Sequence, residues 1–171
     1  MEFLLAVDLG VKTGFAMYSS QPKLLWYHSQ NYGNKFRLKK AIPGILYQDD
    51  RIDYVVMEGG GSLQKIWDAA LEKMNIEVMH IMAEAWRNEL LLDREQRKGK
   101  MAKGKALMYA IKIIDQLSEK KTSSLNHNAA EAIMIGLWGI KKLGWIKNPD
   151  QFLRNNTFKK PLTDIASFEN F

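Results

Sequence analysis

Phe3-Leu4-Leu5-Ala6-Val7-Asp8-Leu9-Gly10-Val11-Lys12-Thr13-Gly14 is the stretch from which the rest of the chain is read. Phe3 to Val7 is a short apolar run, partly β-branched, of the kind that forms a buried strand. It stops at a carboxylate. Gly10 and Gly14 suit a tight turn, and Phe15 to Ser19 reads as the returning strand. Ser20-Gln21-Pro22 marks a second turn and Leu24 to Ser29 a third strand, so the chain opens as an antiparallel meander.

Beyond the meander, strands and helices alternate. Asn34 to Tyr47 reads as a helix, basic at its start, that Pro43 and Gly44 break or kink. Ile52 to Met57 is rich in Val and Ile and alternates poorly, as a strand buried on both faces does. It stops at Glu58, before Gly59-Gly60-Gly61. Ser62 is a suitable cap for a helix from Leu63 to Met74, whose Ile66, Trp67, Ala70, Leu71 and Met74 recur at helical spacing. Ile76 to Met82 reads as a strand and Glu84 to Leu92 as a short helix. A basic segment follows, by default a solvated loop. Ala102 to Leu117 and Asn126 to Ile140 are helices joined by a loop. This order predicts an α/β fold with a mixed five-stranded sheet, its first three strands antiparallel, and helices on both faces. Residues 1–140 form the main domain and 141–171 an irregular extension with one short helix.

Composition narrows the function classes. The chain has 171 residues, 46% of them hydrophobic, enough for one domain with a sizeable core. No apolar run approaches the roughly 20 residues of a membrane span, and the start of the chain lacks the pattern of a secretory signal. An intracellular setting, cytoplasmic or nucleoid-associated, is the expectation, with no membrane partner. Cysteine is absent, which excludes disulfide frameworks, thiolate metal sites and cysteine nucleophiles. Lys and Arg total 25 against 19 acids, a formal charge of +6. From Asp93 to Lys105 there are six bases (Arg94, Arg97, Lys98, Lys100, Lys103, Lys105) and two acids. That clustering points to a polyanionic partner and suits contact with a phosphate backbone.

Asp8 and Glu58 each close an apolar strand. A lone carboxylate is expensive to bury, and two adjacent ones repel unless a proton or a cation lies between them. Hard divalent cations take oxygen ligands, and Mg²⁺ is usually held by one or two carboxylates with water and phosphate. The third element is Asn126-His127-Asn128-Ala129-Ala130-Glu131-Ala132. On a helix His127, Asn128 and Glu131 share one face, and the alanines permit close approach to a sheet.

Taken together, Asp8 to Gly14 after its apolar strand, Val55-Val56-Met57-Glu58, and Asn128-Ala129-Ala130-Glu131-Ala132 resemble RuvC-like Holliday-junction resolvases of the RNase H-like nuclease superfamily. Order and spacing match over roughly residues 3 to 140. The resemblance implies a divalent-metal-dependent endonuclease for four-way or other branched DNA, two Mg²⁺ or Mn²⁺ ions per site, and a homodimer. It carries the acidic positions onto Asp8, Glu58 and Glu131. The remaining ligand position, an acid or His in the family, is Asn128 here, and either its carbonyl oxygen or the neighbouring His127 would serve. The family's catalytic lysine maps best to Lys103, with Lys100 and Lys105 as neighbours.

Each residue also has a plainer reading. Asp8 alone is ordinary turn chemistry. Glu58 with three glycines is a loop start, and no Gly-Lys-Ser/Thr follows to make a phosphate-binding loop. Trp86-Arg87 suits either core packing or stacking on a displaced base. With Arg97, Lys98, Lys100 and Lys105 it forms the expected nucleic-acid surface. Two rival functions share these residues: a YqgF-like RNase H-fold nuclease acting on RNA, and a junction-binding protein without catalysis. The Asp8 to Gly14 turn also resembles the phosphate loop of the actin and sugar-kinase fold, which needs a second related domain for which 171 residues is too short.

Overall fold

The computed structural model describes residues 1–47, 52–96, 99–118 and 124–154, with 99 and 100 described in the backbone only. Five strands form one sheet in the order β3-β2-β1-β4-β5. Strands β1 (Phe3–Asp8), β2 (Lys12–Ser19) and β3 (Lys23–Asn31) form the antiparallel meander. Strands β4 (Tyr54–Glu58) and β5 (Glu77–Ile81) add in parallel on the far side of β1. The expected mixed sheet is therefore present.

Helices cover both faces. Strand alternation sorts β1 into two sets. Phe3, Leu5 and Val7, with Phe15, Met17, Val55 and Met57, pack against Leu38, Ile42, Leu46, Trp67 and Leu71 of α1 (Lys35–Tyr47) and α2 (Gly61–Lys73). Leu4 and Ala6, with Ala16, Tyr18 and Val56, pack under α3 (Ala83–Leu90), α5 (Gly99–Leu117) and α6 (His127–Lys142). Helix α6 is apolar nearly all round because it lies between the sheet and α5. Its small residues bring it down onto the strands: a Cβ at Gly136 would stand 2.3 Å from the Tyr18 ring.

Several boundaries move from their expected places. Pro43 lies inside α1 without ending it, since the helix gains more from burying Leu38, Ile42 and Leu46 than it loses at one missing N–H. Helix α2 begins at Gly61 with Gly60 as N-cap, so Ser62 is not the cap. Gly59 takes φ 126, and a Cβ there would meet Leu9 Cβ at 2.9 Å; the glycine run serves this turn. Much of the basic segment is helical rather than loop: α4 (Asp93–Gln96) buries Glu95, which accepts hydrogen bonds from Leu92 N and Tyr109 Oη. The boundary drawn after residue 140 falls inside α6. Ile146, and Leu153 of α7 (Asp150–Leu153), belong to the same core layer. The rest of the expected extension, 155–171, lies outside the described residues.

Candidate active site

Asp8 and Glu58 are register partners on the parallel pair β1 and β4. Both continue the even-numbered series (Leu4 and Ala6, Tyr54 and Val56) that faces α6, so their carboxylates leave the sheet on the same side. Adjacent strands lie about 4.8 Å apart, close enough for each charge to act on the other. Leu9 N donates to Glu58 O at 2.9 Å, which fixes the two strand ends together one residue beyond the pair.

Asp8 is the more perturbed group. Burial first, then the charges of Glu131 and Glu58, push its carboxyl up to about 8 against the pull of Lys103 and Arg87. No hydrogen-bond donor among the described residues reaches it. Glu58 is also pushed up by burial and by Glu131, and held back by a hydrogen bond from Trp86 Nε1 and by Arg87. Burial beside two other carboxylates thus favours the protonated form of Asp8.

Helix α6 supplies the third acid. Asn126 caps its N-terminus, its Oδ1 accepting from Ala129 N at 3.1 Å, while its Nδ2 reaches Ser29 Oγ on β3. Gly14 pairs with Asp8 across the meander, and a Cβ at Gly14 would stand 2.0 Å from Asn128 O. The first turn of α6 thus rests on bare backbone beside Asp8. Glu131 follows one turn later, 8% exposed, and its Oε1 takes an ion pair from Arg87 Nη2 at 3.1 Å.

The remaining expected site residues divide. Lys103 on α5 is exposed, and its charge reaches Asp8. Asn128 donates its Nδ2 to Lys12 O at 3.2 Å, tying α6 to the β1–β2 turn. His127 lines an open polar groove with Lys12, Ser29, Gln30, Asn31, Asn126 and Asn128; it is not among the groups that perturb Asp8 or Glu58. Lys105 pairs with buried Glu95 at 3.3 Å. Trp86 does not present its ring for stacking: it is fully buried, and its indole N–H donates to Glu58. Arg87 likewise turns inward to Glu131. Arg97 and Lys98 lie outside the described residues, as does the side chain of Lys100.

Sequence reading missed the inward roles of Trp86 and Arg87. A signal was present: β5 runs parallel to β4, so the helix that follows β5 starts at the same sheet end as Glu58.

No protein-family model matches the chain, and no curated protein matches it in sequence. Solved structures do match. T. thermophilus RuvC in complex with Holliday junction substrate superposes with TM-score 0.59 at 14% identity, covering 84% of this chain and 97% of that one. Fowlpox virus resolvase, in complex with substrate Holliday junction DNA, gives 0.64 at 16%, covering 82% and 98%. The yeast mitochondrial Holliday junction resolvase Ydc2 gives 0.55 at 16%, covering 88% and 84%. The chain has a RuvC-like resolvase fold. In this RuvC-like fold the expected five-stranded sheet and its antiparallel opening are both present.

The donor set suits a hard divalent cation at one place. Asp8 and Glu58 offer paired carboxylates, and no donor among the described residues reaches Asp8. Among the described residues, however, no three acid or imidazole side chains are gathered to clasp one ion, and Glu131 is engaged by Arg87. Two carboxylates remain sufficient where water and phosphate complete the shell. Among the described residues no helix is long and apolar enough to cross a membrane.

Proposed function

We propose that this protein is a divalent-metal-dependent endonuclease that hydrolyses phosphodiester bonds in four-way or other branched DNA, working as a homodimer. The observation that carries the reading is the in-register pair Asp8 and Glu58, with Glu131 packed over it, in a resolvase fold. Two buried carboxylates side by side at adjoining strand ends are most readily compensated by a hard cation.

Asp8 and Glu58 would hold Mg²⁺ or Mn²⁺, with Asn128 or Glu131 as the further ligands the resemblance implies. Once bound, the ion would acidify a water and screen the phosphate's charge. The chain's own groups do the rest. Lys103, exposed and within electrostatic reach of Asp8, meets a non-bridging phosphate oxygen. The attacking water forms a new P–O bond and loses one proton, while the bond to the leaving sugar oxygen breaks and that oxygen gains one. Branch selectivity would come from phosphate positions and deformability rather than base edges. A two-fold dimer would present two such sites to two symmetric strands.

The test is cleavage of four-way, Y-shaped, linear duplex and RNA–DNA hybrid substrates in Mg²⁺ and Mn²⁺, with Asp8→Asn as control and the oligomeric state read by light scattering. Cutting of branched DNA, lost in Asp8→Asn with binding kept, supports the proposal. Cutting confined to RNA-containing substrates would transfer the site to the YqgF-like reading. Tight junction binding with no cutting by the wild type would make it a binding protein.

A further inference from the structure

We propose that each site takes a single divalent cation, between Asp8 and Glu58, and that the Arg87 guanidinium on Glu131 fills the place of a second one. This rests on the nuclease reading above and departs from its expectation of two ions. The acid cluster divides into unlike halves. One half is the Asp8–Glu58 pair, which no ion pair among the described residues neutralises. The other consists of Asn128 and Glu131. Asn128 brings no charge, and its amide nitrogen is committed to Lys12 O at 3.2 Å. Glu131 is 8% exposed and already neutralised by Arg87 at 3.1 Å. A second cation would have to displace that guanidinium and then rely on one carboxylate and one neutral amide.

Arg87 is also held in place. It follows Trp86 in α3, lies over the Trp86 ring with its Cζ 5.1 Å from the centroid, and Trp86 in turn donates to Glu58. The two residues thus brace both halves of the cluster from one helix turn. The guanidinium charge acts on Asp8 and Glu58 as well as on Glu131. Its Nε is buried without a partner among the described residues, yet a quarter of the side chain stays open to solvent. A guanidinium presents planar, forked donors suited to phosphate oxygens. Held on Glu131, it stands where charge on a scissile phosphate would need a second positive partner.

The test uses Mn²⁺ and electron paramagnetic resonance on the full chain, with and without a four-way junction. The wild type should show isolated Mn²⁺, one per chain, and no exchange-coupled pair. Arg87→Gln should admit a second ion and show the coupled pair. Arg87→Lys, which keeps the charge, should stay at one. Cleavage should fall about 100-fold or more in Arg87→Gln and less in Arg87→Lys. Near-ultraviolet circular dichroism identifies a variant that has not folded, and the wild-type spectrum then decides alone. A coupled pair in the wild type would overturn the inference and leave the nuclease reading standing. A folded Arg87→Gln that still takes one ion would also overturn it. No Mn²⁺ bound by the wild type would instead remove the metal-dependent reading itself.

Discussion

The carbonyl of Asn128 lies over Gly14, so close that a Cβ added to Gly14 would stand 2.0 Å from that oxygen. Gly14 is the cross-strand partner of Asp8. One missing side chain therefore sets the height of the helix carrying Glu131 above the strand carrying Asp8. Gly14→Ala must push α6 outward or shift the β1–β2 turn. Overpacking of this kind costs about 1–3 kcal/mol, seen as a lower melting temperature. The sharper expectation concerns function: Mn²⁺ affinity should fall more than stability alone explains, because the acids move apart. A variant that melts earlier but binds Mn²⁺ as the wild type does would show that this contact does not set the site.

Asp8 makes the metal-free protein sensitive to alkali. Its carboxyl is raised by burial from 3.8 to about 8, so between those values the folded chain holds a proton that the unfolded chain has released. Stability of the metal-free protein should therefore decline as pH rises from about 4 to about 8. Asp8→Asn should flatten that decline and stabilise the metal-free protein at pH 8, by about 5 kcal/mol at most. Saturating Mg²⁺ should restore the wild type and leave Asp8→Asn unchanged. Paired denaturation curves at pH 5 and pH 8 decide it, and a wild type equally stable at both would contradict the assignment.

Lys103 and Lys105 sit two residues apart but should behave differently. Lys103 is exposed near Asp8, whereas Lys105 is bound to Glu95, itself 5% exposed. Lys103→Ala should lower cleavage, reduce the salt dependence of junction binding by about one unit of slope, and leave the melt unchanged. Lys105→Ala should chiefly destabilise the fold by about 1–2 kcal/mol, since among the described residues Glu95 then keeps only the neutral donors Leu92 N and Tyr109 Oη for its buried charge. Salt titrations and melts of the two variants, run together, separate these roles. Equal effects on both measurements would contradict them.

Glu89 ties α3 to α6, accepting from Trp138 Nε1 at 3.0 Å and pairing with Lys141 at 2.7 Å and Lys142 at 2.6 Å. Burial opposes its ionisation, but these three partners outweigh it and hold the carboxyl down at about 2. Its contribution is present above about pH 4.5 and is lost as pH falls toward 2. Allowing for solvent exposure, Glu89→Gln should cost about 1 kcal/mol at neutral pH and nothing measurable at pH 2. Because α3 also carries Trp86 and Arg87, hydrogen exchange in Glu89→Gln should rise first in that helix. Unchanged protection there would show the tie to be dispensable.

The apolar run from Phe3 to Val7, the turn glycines and the Val-Ile run before Glu58 were enough to determine the strands, their mixed order and the two acids at strand ends. Local spacing also placed Glu131 and Asn128 on one helix face. These features rest on short-range stereochemistry, which a linear sequence records directly. Which side chains close over the acids was decided only by the tertiary structure. Trp86 looked equally suited to a base or to the core, and became buried because β5 lies beside β4 and brings the next helix back over Glu58. Arg87, read with Trp86 as able to stack on a displaced base, and Lys105, read as a contact for a phosphate backbone, turned instead to Glu131 and Glu95. A charge in the sequence has a sign but no address, and burial of a nearby carboxylate, visible only in three dimensions, determines which cation it takes.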